Sequence, residues 1–118
     1  MSGFAYKLVD AAEWEQARSA GVYDGSAVDR ADGYIHLSAA AQLGETARRH
    51  YAGRSDLVLV AIDLAALGEA VRWEASRGGD LFPHLYAPLP LSAAAAERRL
   101  SVREDGEMIF DDGATGWP

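Results

Sequence analysis

Leu57-Val58-Leu59-Val60-Ala61-Ile62-Asp63 is the stretch that decides the fold. Its first six residues are continuously apolar and partly β-branched, which predicts a central strand, and Asp63 ends it. The same aspartate interrupts the apolar run through Leu67. No stretch reaches the roughly 20 apolar residues that a bilayer crossing requires.

Working upstream, AAAQLGETARRHY at 39–51 has alanines and i, i+4 spacing that favour a helix, with Ser38 placed to cap it. Gln42 falls one position late for a reciprocal capping box, so its amide is either a solvated helix residue or a contributor to a site. Before it, Tyr34 to Leu37 reads as a short strand. Tyr34, His36 and Ser38 lie on one face, with Ile35 and Leu37 on the other. VYDGSAVDRADG at 22–33 carries glycine and aspartate at turn-like intervals and reads as a surface loop. The first apolar run, 4–9, predicts a strand ending at Asp10, a good cap for a helix that carries Ala12, Trp14 and Ala17 and closes at Gly21. Trp14 is the expected core anchor of that helix.

Downstream, 71–75 and 85–91 suggest strands, and prolines at 83, 88 and 90 predict an edge position or a bulge. Ser92 is placed to cap a short AAAAE turn. A terminal hairpin follows, from 99–103 to 107–110 through Asp105 and Gly106, and 112–118 reads as a loosely held tail. The expected fold is α+β: one domain over 1–118, with a curved or split mixed β-sheet and two main helices.

The chain has 118 residues, 49% of them hydrophobic, enough for one core without staples. It has no cysteine, so disulfides and thiolate metal sites are excluded. The N-terminus lacks the basic start and long apolar run of a secretory signal, which makes the cytoplasm the expected compartment. A net charge of −7 opposes the counterion release that drives nucleic-acid binding, while leaving room for a local cationic site that holds a small phosphate.

Two segments concentrate the polar chemistry: GYIHLS at 33–38 and WEASRGGDLFPHLY at 73–86. His36 and His84 sit in apolar, strand-like runs, where a buried imidazole needs partners. Histidine is suited to acid–base work near neutrality. A satisfied polar core residue is the other reading of each. Serine hydrolysis is excluded, because no G-x-S-x-G elbow exists and same-face residues two apart lie about 7 Å from each other along a strand. Glu74, beside Trp73, reads equally as a site carboxylate or as an ion-pair partner of Arg72 or Arg77. Ser76 to Asp80 offers a guanidinium and open amides that can hold an anion, without the P-loop pattern. His36, Glu74 and His84 form a nominal metal set, but no short ligand spacing supports it, and no metal is expected. His84 follows Pro83, and its ring is expected beside Tyr86.

D-R-A-D-G-Y-I-H-L-S at 29–38, Gln42, R-W-E at 72–74 and F-P-H-L-Y at 82–86 together resemble the bacterial family known as domain of unknown function 952, over nearly the full chain. That family looks distantly similar to the ADP-ribosyltransferase and RNA 2′-phosphotransferase group. The resemblance implies a compact split-sheet fold whose cleft binds NAD or an ADP-ribosyl compound with residues from three separated strands. It places the first motif at Tyr6 to Val9, the second at Gly33 to Ser38 and the third near His84 to Tyr86. Lys7 stands where the group usually has histidine or arginine, His36 where an aromatic is common, and His84 where glutamate is common, with Glu74 earlier in the chain. By this resemblance Lys7 and Arg77 bind phosphate or ribose, His36 and Ser38 position base or sugar, and Gln42 is a further ligand-binding candidate. His84 acts as acid or base, with Glu74 and Tyr86 orienting the histidines. No cofactor is firmly implied, and NAD enters as a substrate of a transferase or hydrolase. The alternative is a non-catalytic binding module with the same residues in a structural polar core.

Overall fold

Alternation places Val58, Val60 and Ile62 of the central strand on one face and Leu57, Leu59 and Ala61 on the other, and all six are buried. A strand covered on both sides reads as a continuous apolar run instead of an alternating one. The computed structural model describes residues 3–112. The elements are β1 (Phe4–Asp10), α1 (Ala11–Ala20), β2 (Val22–Tyr23), α2 (Ala27–Asp32), β3 (Ile35–His36), α3 (Ala40–His50), β4 (Leu57–Asp63), β5 (Val71–Ala75), β6 (Leu81–Leu85), β7 (Leu89–Pro90), β8 (Ala94–Val102) and β9 (Met108–Phe110). A four-stranded sheet runs β1-β4-β8-β9, a three-stranded one runs β3-β6-β5, and β2 pairs with β7. The α+β class holds. The strand pairs are all antiparallel among the described residues, where a mixed sheet was expected.

Among the described residues, the backbones of the two larger sheets join at one point. Ile35 and His36 pair with Leu85 and His84 of β6, and two residues later Ser38 forms an isolated bridge with Tyr6 of β1. Tyr6 N–H donates to Ser38 O at 2.8 Å, and Ser38 N–H donates to Tyr6 O at 2.9 Å. GYIHLS therefore crosses from one sheet to the other, and the sheets part on either side of it.

α1 lies on one face of the larger sheet. Asp10 caps it, accepting from the amides of Ala12 and Glu13, and Gly21 closes it in the left-handed conformation. Trp14 is fully buried among Val58, Val60, Ile62 and Tyr23, and its indole N–H donates to Glu97. α3 covers the other face through Leu43 and Ala47, which pack with Leu8, Leu59, Leu100 and Phe110.

Several local expectations are corrected. Residues 22–33 are not a loop: they form β2 and α2, and Ser26 starts the helix with a capping box that includes Asp29. The N-cap of α3 is Ala39, not Ser38. Gln42 is consequently in the third helical position, where its Oε1 accepts from the Ala39 amide at 2.9 Å. The strand expected at 85–91 is not there as such: β6 ends at Leu85, where it was to begin, and β7 holds only Leu89 and Pro90. Pro83 lies in the central strand of its sheet, not at an edge. Its carbonyl accepts from Leu37 N–H, so its missing N–H faces the same side, beyond the last β3 residue, where the ladder ends. The alanines at 94–96 belong to β8, because pairing with β4 overrides their helical preference. The tail beyond Asp112 lies outside the described residues.

The β8–β9 turn presses on α3. Gly106 has φ +92°, and a Cβ there would lie 2.6 Å from Cβ of Arg48 and 2.8 Å from its Cα. Backbone cannot swing aside as a side-chain tip can. Gly106→Ala is therefore expected to cost about 1–3 kcal/mol, read as a lower urea midpoint at unchanged m-value.

Candidate functional site

Asp29 is the centre of the polar site, and it is 2% exposed. The α2 capping box fixes its backbone: Ser26 Oγ accepts from its amide at 3.2 Å, and its Oδ2 accepts from Ser26 N–H at 2.9 Å. Gly25 (φ +101°) leaves room behind it, where a Cβ would approach the Asp29 Cβ to 2.8 Å. The carboxylate then collects three further contacts. His36 Nδ1 lies 2.6 Å away, the His36 amide donates at 3.1 Å, and Lys7 Nζ stands 3.1 Å from Oδ2. Lys7 also donates to His36 O at 2.9 Å, which straps β1 to β3 beside the Tyr6–Ser38 bridge. His36 Nε2 meets Asp32 Oδ2 at 3.0 Å, so both ring nitrogens face carboxylates.

Burial on its own would raise the Asp29 carboxyl. The hydrogen bond from His36, the Lys7 charge and the amides of Ser26 and His36 outweigh it and hold the group far below the usual carboxylate range. Burial pulls the Lys7 ammonium below the ordinary lysine value, with Asp29 opposing. A buried ion pair of this kind needs its hydrogen bonds, and among the described residues no buried side-chain nitrogen or oxygen lacks a partner.

His84 forms a second constellation beside the first. It pairs in register with His36, and the ring centroids are 5.6 Å apart at 70°. Tyr34, not Tyr86, stacks on His84, at 4.1 Å and 27°, and also touches the His36 ring at 4.6 Å. His84 Nδ1 lies 2.8 Å from Glu74 Oε1, which also accepts from Tyr86 OH at 2.6 Å. The hydrogen bonds from Tyr86 and then His84 hold the Glu74 carboxyl below its ordinary value, and the bond to Glu74 pushes the Tyr86 phenol up. Arg72 stacks over the Tyr86 ring at 4.8 Å.

A cleft of about 750 Å³ runs past both histidines. Such a volume suits a small-molecule ligand. Lys7, Asp29, Asp32, His36, Ser38 and His84 line it, together with Arg49, His50 and Arg54. Ser38 Oγ is 2.9 Å from Thr46 Oγ1. The residues singled out in the sequence thus separate by position. Lys7, His36, Ser38 and His84 line the cleft, while Glu74 and Tyr86 stand behind His84 and do not line it. Gln42 spends its amide on structure, donating to Leu81 O at 2.7 Å. Arg77 is in the turn before β6, and its side chain lies outside the described residues. No group of three or more histidine and carboxylate side chains is arranged to hold a metal among the described residues. Asp29 was missed, although S-A-V-D at 26–29 is a capping-box pattern that could have found the helix carrying it.

A comparison with protein families matches residues 8–97 to "Protein of unknown function (DUF952)". The chain belongs to this family. Among solved structures, the crystal structure of protein CC0527 from Caulobacter crescentus is 48% identical, with a TM-score of 0.85, covering 90% of this chain and 93% of that one. The solution NMR structure of CC0527 is 50% identical, with a TM-score of 0.77, covering 87% and 89%. The family fold therefore extends over nearly all of both chains. The comparison with curated proteins gives no match. No described helix is long and apolar enough to cross a membrane.

Proposed function

We propose that this is a cytoplasmic protein whose cleft binds NAD or an ADP-ribosyl derivative, and that the histidine wall is where such a ligand is transformed. The observation that carries the reading is the pairing of His36 and His84 on adjacent strands, side by side on one cleft wall. The polarity of the cleft supports it. Arg49 and Arg54, half-exposed and paired with Glu45 and Asp10, are surface cations that a phosphate can recruit, and the histidine region offers stacking and hydrogen bonds to a ring or a ribose. Lys7 is already committed to Asp29 and the His36 carbonyl, so it supports the wall instead of binding phosphate directly.

The test is a titration of the purified protein with NAD, ADP-ribose and nicotinamide, followed by NMR. His36 and His84 ring resonances are expected to shift at millimolar ligand, and unmoved resonances remove the reading. A second reading, a non-catalytic module with a structural polar core, is favoured by the internal satisfaction of the Lys7–Asp29–His36 network. A product assay separates the two: His36→Ala and His84→Ala lower turnover if the wall is catalytic, and no turnover exists to lower if it is not.

A further inference from the structure

Lys7 is the one lysine of the chain, and every other basic side chain apart from the histidines is an arginine. An amine, unlike a guanidinium, can lose its proton and act as a nucleophile. This one is 7% exposed and lines the cleft with Asp29, His36 and Ser38. Its ammonium carries three N–H bonds. Asp29 takes one, with Oδ2 at 3.1 Å, and His36 O takes another at 2.9 Å. The third has no partner among the described residues, and it is the one left for a molecule in the cleft.

The ion pair does not fix the nitrogen in its charged form. Burial outweighs Asp29 and pulls the amine below the ordinary lysine value. Asp29 is also held by His36 Nδ1 and by the amides of His36 and Ser26, so its carboxylate keeps partners when Lys7 gives up a proton.

We propose that Lys7 is a site of covalent attachment, at which the amine condenses with a small aldehyde in the cleft to form a protonated imine. The proposal stands apart from the ligand class proposed above. Charge selects the chemistry: an acyl donor would turn the ammonium into a neutral amide and leave the buried Asp29 carboxylate without its cation, whereas a protonated imine conserves the pair. Space selects an aldehyde over a ketone, which brings a second substituent to a nitrogen this deeply buried. In the step, the ammonium gives one proton to water, and the freed lone pair bonds to the carbonyl carbon as the C=O π pair moves to oxygen. That oxygen takes a proton from the nitrogen, giving a carbinolamine. Its hydroxyl leaves as water with the proton first lent to solvent, and the nitrogen lone pair closes the C=N bond. Ammonium and aldehyde thus become iminium and water, with no net proton or electron exchanged. The iminium keeps one N–H, which stays on Asp29 and gives up the contact with His36 O.

Acetaldehyde with cyanoborohydride, which traps an imine as a secondary amine, tests this on the intact protein. Peptide mapping separates Lys7 from the N-terminal amine, and the same chain unfolded in urea supplies the rate of an ordinary lysine. Labelling of Lys7 is expected to be on the order of 10-fold faster in the folded protein, since depression of the amine enlarges its neutral fraction. Lys7→Arg, which keeps the charge and the donors, is expected to lose this label entirely. Should Lys7→Arg fail to fold, the folded and urea rates of the wild type decide the matter without it. A Lys7 that stays unlabelled in the folded protein, or reacts no faster there than in urea, overturns the proposal.

Discussion

Asp29→Ala unfolds at a much lower urea concentration than the wild type, with an expected loss of about 3–5 kcal/mol. The variant leaves the Lys7 ammonium 7% exposed and without its counter-ion. It also frees the amides of Ser26 and His36 and the His36 ring from their acceptor. Lys7→Met is milder, since Asp29 keeps His36 and Ser26. The double variant Lys7→Met/Asp29→Asn is expected to lose less than the sum of its two singles, because the contact is shared.

The same residue sets an acid limit. Its folded-state pKa lies below the ordinary 3.8, so the unfolded chain takes up the proton first as pH falls. The stabilisation is complete above about pH 4 and is lost progressively as pH drops below that toward the folded-state value. Urea titrations at a series of pH values are expected to show wild type and Asp29→Asn separated most near neutrality and converging in acid. A constant gap across the range contradicts the assignment of a depressed carboxyl.

Trp14→Ala is the second large effect, again about 3–5 kcal/mol, because the indole is fully buried against β4 and no small side chain fills that volume. Trp14→Phe keeps an aromatic ring and gives up the hydrogen bond to Glu97, at a cost nearer 1 kcal/mol. Matching losses in the two variants would mean that the hydrogen bond, and not the packing, is what the tryptophan supplies.

Trp14 and β4 were legible because each depends on a local pattern that matches its burial. The apolar run at 57–62 is covered by α1 on one face and α3 on the other, and Asp10 and Gly21 mark the ends of α1 where cap chemistry requires them. The Ala94–Ala96 segment was not legible: alanine favours helix in isolation, and only the register with β4 makes it strand. His36 and Ser38 could be phased on one strand, but the change of partner between them, β6 for the first and β1 for the second, is a tertiary event with no local signal. Asp29 hid for a related reason. Its partners lie 7 and 22 residues away, at His36 and Lys7, and no short spacing ties a carboxylate to either.

The crossing at Ser38 is a seam between the two larger sheets. Among the described residues the pair of backbone hydrogen bonds between Tyr6 and Ser38 joins them, and one apolar core holds Val58, Val60 and Ile62 of the larger sheet with Ile35 and Leu85 of the smaller. His36 stands two residues from that seam, and the Lys7 ammonium holds its carbonyl from the other sheet. The place of the imidazole on the cleft wall is consequently set by both sheets at once.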